Sequence, residues 1–308
     1  MKKLISIVVP IYNEVSMVEQ IHDRIANVLK AHNDYAYEIV FFDDGSTDGT
    51  RAALEQLCSR YDDTKCVFYS RNFGYLKSTF YCLQQAKGDC AIIVHADLQN
   101  PPELIPQFVE KWENGAQVVQ GVKTKSRENR FMFFLRSVFY FLMIRVFGVK
   151  IKAHATEFEL VDREFIEILK KIKVNNPFLR GIISEYASSI DYVYYIQDQR
   201  TKGKSKFNLN KYYDFAMCGI TQFSRNLPRC AVAFSLMGFV ALILEFLFCF
   251  LPKAAEVPSP GDSILLRCLF AVLCLSVLYG SIMFEYIIAA LNNTAEKPLI
   301  IEEKRINY

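Results

Sequence analysis

Three short runs in this sequence combine carboxylates with turn-forming residues in a way that suits a phosphorylated, hydroxyl-rich ligand. They are Val9-Pro10-Ile11-Tyr12-Asn13-Glu14, Asp43-Asp44-Gly45-Ser46-Thr47-Asp48-Gly49-Thr50 and His95-Ala96-Asp97-Leu98-Gln99-Asn100-Pro101-Pro102-Glu103. A carboxylate accepts hydrogen bonds from a base N–H or a ribose hydroxyl, and Pro10 with Tyr12 offers a flat wall for the base. Asp97, with His95 two positions earlier, can reach a divalent cation (Mg2+ or Mn2+) shared with a diphosphate, which neutralises charge on a departing nucleotide. Taken alone, Asp-Asp-Gly-Ser is equally an ordinary turn with a helix cap. Asn100 is expected to cap the helix that begins after Pro101-Pro102.

The elements around these runs place them together. Residues 5–11, 38–42, 66–70 and 91–95 are short, apolar and strand-like, and helical patterns cover 18–29, 47–58 and 79–85. In the first helix Val18, Ile21, Ile25, Val28 and Leu29 recur at helical spacing. Strands alternating with helices imply an α/β fold, a mostly parallel sheet covered by helices on both faces. Ligands of such sheets bind at the carboxyl ends of the strands, where the three runs fall.

The 308 residues are 52% hydrophobic, and the excess lies after Arg229 and within 131–148. Residues 230–251 and 264–291 are almost wholly apolar. At ~1.5 Å per residue each is long enough to cross a ~30 Å hydrocarbon core. The short connection predicts a helical hairpin with both ends on the side of the 1–228 domain. Arg225 and Arg229 precede the first span, Lys297, Lys304 and Arg305 follow the second, and the loop offers only Lys253 against Glu256 and Asp262. This bias puts the 1–228 domain and a 292–308 tail in the cytoplasm. Residues 131–148, which include Arg136 and Arg145, are short for a span; an interfacial amphipathic helix fits, and so does a core helix of the soluble domain.

Nine scattered cysteines without a C-x-x-C pair read as reduced thiols. A net charge of +3 and no basic stripe interleaved with aromatics give no argument for nucleic acid as a partner. The basic clusters at 123–130 and 200–211 adjoin apolar segments and suit a phosphate or anionic headgroups. The trio Arg200, Ser205 and Lys206 also has the composition of a solvated loop.

In order and spacing the three runs resemble the family 2 inverting glycosyltransferases of the GT-A (Rossmann-like) fold. The likeness is closest to the polyprenyl-phosphate glycosyltransferases, which include dolichol-phosphate mannose synthase and bacterial lipid-phosphate glucosyltransferases. It continues through Arg71-Asn72-Phe73-Gly74, Phe158 with Leu160-Val161-Asp162-Arg163, and Phe178-Leu179-Arg180-Gly181. Beyond these come Arg200 with Gly203-Lys204-Ser205-Lys206-Phe207, Gly219-Ile220-Thr221 with Phe223-Ser224, Pro228-Arg229, Glu285-Tyr286 and Lys297-Pro298-Leu299-Ile300. The resemblance implies transfer of a sugar from a UDP- or GDP-linked donor to a polyprenyl phosphate at the cytoplasmic membrane face. That membrane is the inner or plasma membrane in a bacterium and the endoplasmic reticulum in a eukaryote.

It further implies that Pro10, Tyr12, Glu14, Asp43, Asp44, Ser46, Arg71 and Gln99 bind the nucleotide-sugar. Asp97 and His95 would hold the metal, while Asp97, Glu157 and Arg200 carry catalysis. Lys123, Arg127, Ser205 and Lys206 would meet the acceptor phosphate, and the implied assembly is a homotetramer. A phosphate monoester has a second pKa near ~6 and is already largely an oxyanion, so it needs positioning and charge screening more than a strong base.

This chain departs from the family pattern in four places: His95 stands where Asp is usual, Asn100 replaces a common Asp, Glu157 replaces Asp, and Glu159 replaces Arg. An arginine and a glutamate expected near Ser126 and Asn129 are displaced or missing. His95 can ligate a metal or only hydrogen-bond its neighbours; as a ligand it shifts preference toward Mn2+. Such departures also admit a catalytically degenerate nucleotide- and lipid-binding partner, or a transferase using another glycolipid. Retention of Asp97, Arg200 and Lys206 argues against the degenerate reading.

Overall fold

The computed structural model describes residues 2–31, 34–126, 137–197, 209–224, 226–227, 229, 232–233, 236–240, 243, 261–294 and 297–308. Strands β1 (Leu4–Ile11), β2 (Ala36–Asp43), β3 (Thr64–Tyr69) and β4 (Cys90–Ile93) pair in parallel in the order β4-β1-β2-β3. Helices α1 (Val18–Lys30), α2 (Thr50–Arg60) and α3 (Tyr75–Gln85) make the crossovers. Ile5, Ile7 and Val9 of β1 pack with Ile21, Ile25, Leu54 and Leu57 of α1 and α2. Val8 packs on the opposite face with Phe80 and Leu83 of α3. Burial on both faces is why these strands read as continuous apolar runs instead of alternating.

The second half adds α4 (Ile105–Glu113), β5 (Val118–Ser126), α5 (Ser137–Val146), β6 (Ala155–Asp162), α6 (Arg163–Lys171), α7 (Leu179–Tyr186) and β7 (Ile190–Gln197). Helices α8 (Leu209–Phe223) and α9 (Gly261–Thr294) and a last strand, β8 (Glu302–Ile306), complete it. The sheet order is β7-β5-β6-β4-β1-β2-β3-β8. Only β6 and β8 run against the rest, so the sheet is mostly parallel, as expected. Asp162 closes β6 and caps α6 by accepting from the Glu164 N–H at 2.7 Å.

Two helices begin later or earlier than their apolar pattern suggests, each because of a glycine. Gly49 at φ 96° delays α2 to Thr50, and Gly74 at φ 93° lets α3 start at Tyr75.

Residues 292–308, expected as a tail, contain an edge strand. β8 lies antiparallel against β3, the Ser70 N–H donates to the Ile301 carbonyl at 3.0 Å, and Tyr81 Oη donates to Glu302 at 2.8 Å. Ile300 is buried among α3 residues, and the Tyr308 ring is flanked by Lys87 and Arg305 at 4.1 and 4.3 Å. β8 thereby covers the β3 edge with a charged strand.

Of the 131–148 segment, α5 is described. It turns Tyr140 and Met143 inward and leaves Val138, Phe141, Leu142 and Val146 exposed. Its carboxyl end is held by α8: Ser224 Oγ donates to the Phe147 carbonyl at 2.7 Å, and Met143 packs with Phe178 and Ile220.

Residues 271–294 of α9 are long and apolar enough to cross a membrane. The helix is fixed at its carboxyl end, where Tyr286 Oη donates to the Ile220 and Ser224 carbonyls at 3.3 Å and Asn175 Nδ2 donates to the Asn292 carbonyl. Of the expected 230–251 span, residues 232, 233, 236–240 and 243 are described, and all are helical.

Candidate active site

The registers Ile11↔Asp43 and Val8↔Ile93 bring the carboxyl ends of β1, β2 and β4 side by side. The first two loops are stitched together. The Asn13 N–H donates to Ser46 Oγ at 2.8 Å, the Thr47 N–H to Asn13 Oδ1 at 2.7 Å, and the Glu14 N–H to Thr50 Oγ1 at 3.1 Å. Asn13 takes the left-handed φ of 52° that this requires, a conformation asparagine tolerates better than most residues. Pro10, Tyr12 and Glu14 are partly exposed on this rim.

Asp43 is fully buried and accepts from the Ser46 N–H at 3.2 and 3.3 Å, with Arg51 Nε 3.7 Å away. Burial pushes its pKa up. Asp44 spends both carboxylate oxygens on the next loop, accepting from the Phe73 N–H at 2.7 Å and the Gly74 N–H at 3.0 Å. Burial raises Asp44 to about 6. Asp44 therefore acts here by fixing the 71–74 loop, on which Arg71 is exposed with its guanidinium 4.8 Å from the Phe73 ring.

The same loop explains Gly45. At φ 71°, a Cβ there would lie 2.5 Å from the Arg71 carbonyl carbon and 2.7 Å from the Asn72 nitrogen. Gly45→Ala is expected to displace the 71–74 loop and cost about 1–3 kcal/mol. Thermal unfolding should show a lower Tm, and calorimetry a weaker affinity for the donor nucleotide.

At the end of β4, His95, Asp97 and Gln99 are each partly exposed. Leu98 at φ 53° turns the chain, so that the Gln99 N–H donates to Asp97 Oδ1 at 3.2 Å. Gln197 Nε2 then donates to Gln99 Oε1 at 3.1 Å. Asn100 does not cap a helix: Pro101 and Leu104 occupy the cap positions, and Asn100 Oδ1 accepts from Tyr195 Oη at 2.6 Å. A buried tyrosine hydroxyl needs a partner, and that need outweighs the cap.

His95 Nε2 lies 3.5 Å from Tyr75 Oη. Burial lowers the His95 pKa, Asp97 and Glu157 oppose that, and Lys123 adds to it, so the imidazole is favoured in its neutral, ligand-competent form. His95 and Asp97 supply one nitrogen and one carboxylate. Among the described residues no group of three His, Cys, Asp or Glu side chains converges on a metal position. Such a pair would suit a cation shared with a bound diphosphate, not one held by protein side chains alone.

Behind this end lies a cluster the sequence did not reveal. Glu157 and Glu159 share one face of β6, and Glu157 Oε1 stands 3.6 Å from Arg180 Nε at the start of α7. Among the described residues Glu159 Oε1 and Arg180 Nε have no hydrogen-bond partner, and Glu157, only 2% exposed, has the Tyr75 hydroxyl beside it; Glu159 is wholly buried. Gln120 Nε2 donates to the other Glu159 oxygen at 3.1 Å, and Arg180 Nη1 donates to Tyr140 Oη at 3.0 Å. One cation thus serves two buried acids.

Burial, reinforced by the Glu157 charge, pushes Glu159 from 4.5 up to about 8. The folded chain then keeps a proton that the unfolded chain releases, so stability falls as pH rises between these values and levels off above them. Glu159→Gln is therefore expected to raise Tm by several degrees at pH 8–9 and change it little at pH 5. Differential scanning fluorimetry across that range checks the sign.

The structure thus gathers Pro10, Tyr12, Glu14, Asp43, Asp44, Ser46, His95, Asp97 and Gln99 around the ends of β1, β2 and β4, with Arg71 on the loop that follows β3. Glu157 sits behind them, and Lys123 of β5 lies close enough to bear on His95. Arg127, Arg200, Ser205 and Lys206 lie outside the described residues.

An open, mostly parallel sheet with carboxylate loops at its strand ends is an α/β frame whose ligands bind at those ends. The chain belongs to glycosyl transferase family 2, whose description matches residues 6–187, and it is a glycosyltransferase. It is 32% identical over 303 residues to the uncharacterized glycosyltransferase YkcC of Bacillus subtilis (strain 168), covering 97% of this chain and 93% of that protein. It is 34% identical over 221 residues to the bactoprenol glucosyl transferase of Shigella phage SfV, covering 71% of this chain and 72% of that one. Among solved structures, glucosyl-3-phosphoglycerate synthase of Mycobacterium tuberculosis, crystallised with Mn2+ and UDP, superposes with a TM-score of 0.51 at 17% identity. That superposition covers 71% of this chain and 78% of the synthase, and shares the GT-A fold.

Proposed function

We propose that this enzyme transfers a sugar from a UDP- or GDP-sugar to a polyprenyl phosphate at the cytoplasmic face of a membrane, with inversion. The observation that carries this reading is that one chain joins a family 2 glycosyltransferase domain to two exposed apolar elements, the outer face of α5 and the length of α9. The similarity to a phage bactoprenol glucosyl transferase over most of both chains supports the acceptor class.

Asp43 and the rim of Pro10, Tyr12 and Glu14 bind the nucleoside, with Asp44 and Ser46 holding the loops in register. His95 and Asp97 would hold a Mg2+ or Mn2+ ion, which when bound would screen the diphosphate. An acceptor phosphate is already anionic, so the protein's task is to align it opposite the departing nucleotide and offset its charge. Lys123 provides one such charge, with Arg127, Arg200, Ser205 and Lys206 assigned to the same role. Glu157, behind these loops, acts on His95 through its charge.

The topology bears on the membrane. β8 pairs in the sheet that carries the site, so a membrane crossed by α9 must be crossed an even number of times between α8 and β8. The apolar 230–251 segment supplies the second crossing of a hairpin, and the positive flanks orient it with the catalytic domain and the chain's 292–308 segment inside.

The test is nucleotide release by the full chain in detergent with a panel of UDP- and GDP-sugars. Each donor is assayed with and without polyprenyl phosphate, in Mg2+, Mn2+ or EDTA. Lipid-phosphate-dependent release with one donor is expected. Release that requires a hydroxyl-bearing glycolipid overturns the acceptor, and nucleotide binding without release under any condition overturns turnover altogether.

A further inference from the structure

At the end of the sheet opposite His95, four cations from three chain segments close on the turn between α3 and β4. Lys87 precedes β4, Arg163 and Lys170 belong to α6, and Arg305 belongs to β8. With residues 84–86 and Tyr308 they line a cavity of about 620 Å³, and among the described residues no acid contributes to its wall.

Direct contacts hold the cations around the turn. Arg163 donates through Nη2 to the Ala86 carbonyl at 2.9 Å and through Nε to the Gly88 carbonyl at 2.9 Å, so its guanidinium spans the backbone on both sides of Lys87. Gln84 Nε2 donates to the Leu169 carbonyl at 2.8 Å, tying the turn to the stretch of α6 that carries Lys170. Arg305 Nη2 donates to Gln85 Oε1 at 2.9 Å, and Tyr308 Oη donates to the Gln85 carbonyl. Lys87 Nζ and the Arg305 guanidinium carbon lie 4.1 and 4.3 Å from the centre of the Tyr308 ring.

Two acids answer these four cations from outside the cavity. Glu167 is shared by Lys170 at 2.7 Å and Arg163 at 3.3 Å, and Glu302 holds Arg305 at 2.6 Å. Glu38, which accepts from the Lys87 N–H at 3.4 Å, is already paired with Lys65 at 2.7 Å. Among the described residues Lys87 forms no ion pair. A concave wall with surplus positive charge and guanidinium donors favours an anion. Two cations already stand against the Tyr308 ring, so the cavity reads charge and not a stacked base. The cations lie on three segments around the turn, which linked phosphates can reach better than one phosphate group.

We propose that this cavity is a binding site for a soluble oligophosphate, distinct from the strand-end site at the other end of β4. The ligand would join the α3–β4 turn, α6 and the segment that follows α9. The site depends on neither the donor nor the acceptor of the transfer reaction.

The experiment is thermal unfolding of the full chain in neutral detergent and EDTA, titrated with inorganic diphosphate, with orthophosphate, or with sodium chloride at matched ionic strength. Diphosphate should raise Tm by several degrees at saturation, because a ligand of the folded state stabilises it. Lys87→Gln and Lys170→Gln, both exposed side chains, should each weaken the apparent affinity about tenfold, and Lys87→Arg should retain it. A ligand-free Tm near that of the parent reports that each variant folds. The response should persist in Asp97→Ala; its loss there would place the anion at the strand-end site and overturn the proposal. An equal rise with sodium chloride would mean only that salt relieves gathered charge, and would overturn it too. An equal response to orthophosphate would overturn the oligophosphate preference. No response, or one unchanged in both Gln variants, overturns the site itself.

Discussion

Replacing Asp97 with Ala lowers sugar transfer by about 10²–10³-fold, the loss typical when a preorganised electrostatic contact to developing charge is removed. Asp97 is one of two donors at the end of β4, and the other, His95, is favoured neutral by its burial. Without the carboxylate the position offers a cation a single imidazole nitrogen, too little to hold it against water. The loss should fall on kcat and on the affinity for the diphosphate. A nucleoside lacking phosphates should bind as before, since Asp43 and the stitched loops are untouched. Asp97→Asn separates charge from shape, because its amide oxygen can still accept from the Gln99 N–H that now bonds Oδ1 at 3.2 Å. If Asn behaves like Ala, the charge carries the effect. Steady-state kinetics in Mn2+ and Mg2+ measure both variants, and activity within threefold of the parent for Asp97→Ala would remove the cation-holding role.

What the sequence disclosed follows from where its physics is local. Strands β1, β2 and β4 are buried on both faces, so their apolar runs stand out, and the turn residues that end them mark the carboxyl edge where ligands bind. The same locality hid β8. Glu302-Glu303-Lys304-Arg305-Ile306 has neither alternation nor an apolar run, and it becomes a strand only because β3 presents an open edge and Ile300 anchors the chain beside it.

Asn100 misled in a similar way: its position before two prolines is a cap signal, but Tyr195, ninety-five positions away, claims its oxygen. Asp44 was readable as a site residue, whereas its bonds to Phe73 and Gly74 were not, because they depend on β2 and β3 lying side by side. The meeting of Glu157, Glu159 and Arg180 required β6 to enter the sheet antiparallel and α7 to start above it. No spacing in the chain encodes that encounter.

That cluster sets the second large effect: Arg180→Met should destabilise the protein by about 3–5 kcal/mol, because removing one partner of a buried pair strands the other charge. Arg180 is a mostly buried guanidinium whose own charge is sustained against desolvation by Tyr140 and Glu157. Its loss leaves the Glu157 charge uncompensated beside Glu159, which already holds its proton up to about 8. Arg180 also holds the Glu159 pKa down, so in the variant Glu159 keeps its proton to higher pH and the deficit should be smaller near pH 5 and grow as pH rises through 8.

A lysine does not repair this, since it cannot reach Glu157 and donate to Tyr140 Oη with one planar fork. Glu157→Gln alone should also destabilise, leaving Arg180 as the uncompensated charge. The double variant Glu157→Gln/Arg180→Met removes both charges and should recover more than half of either loss. Urea titrations of the four proteins at pH 5 and pH 8 close the cycle. Additive losses at both pH values would mean that the two side chains do not act as a pair and that Glu157 is held at the back of the site by packing alone.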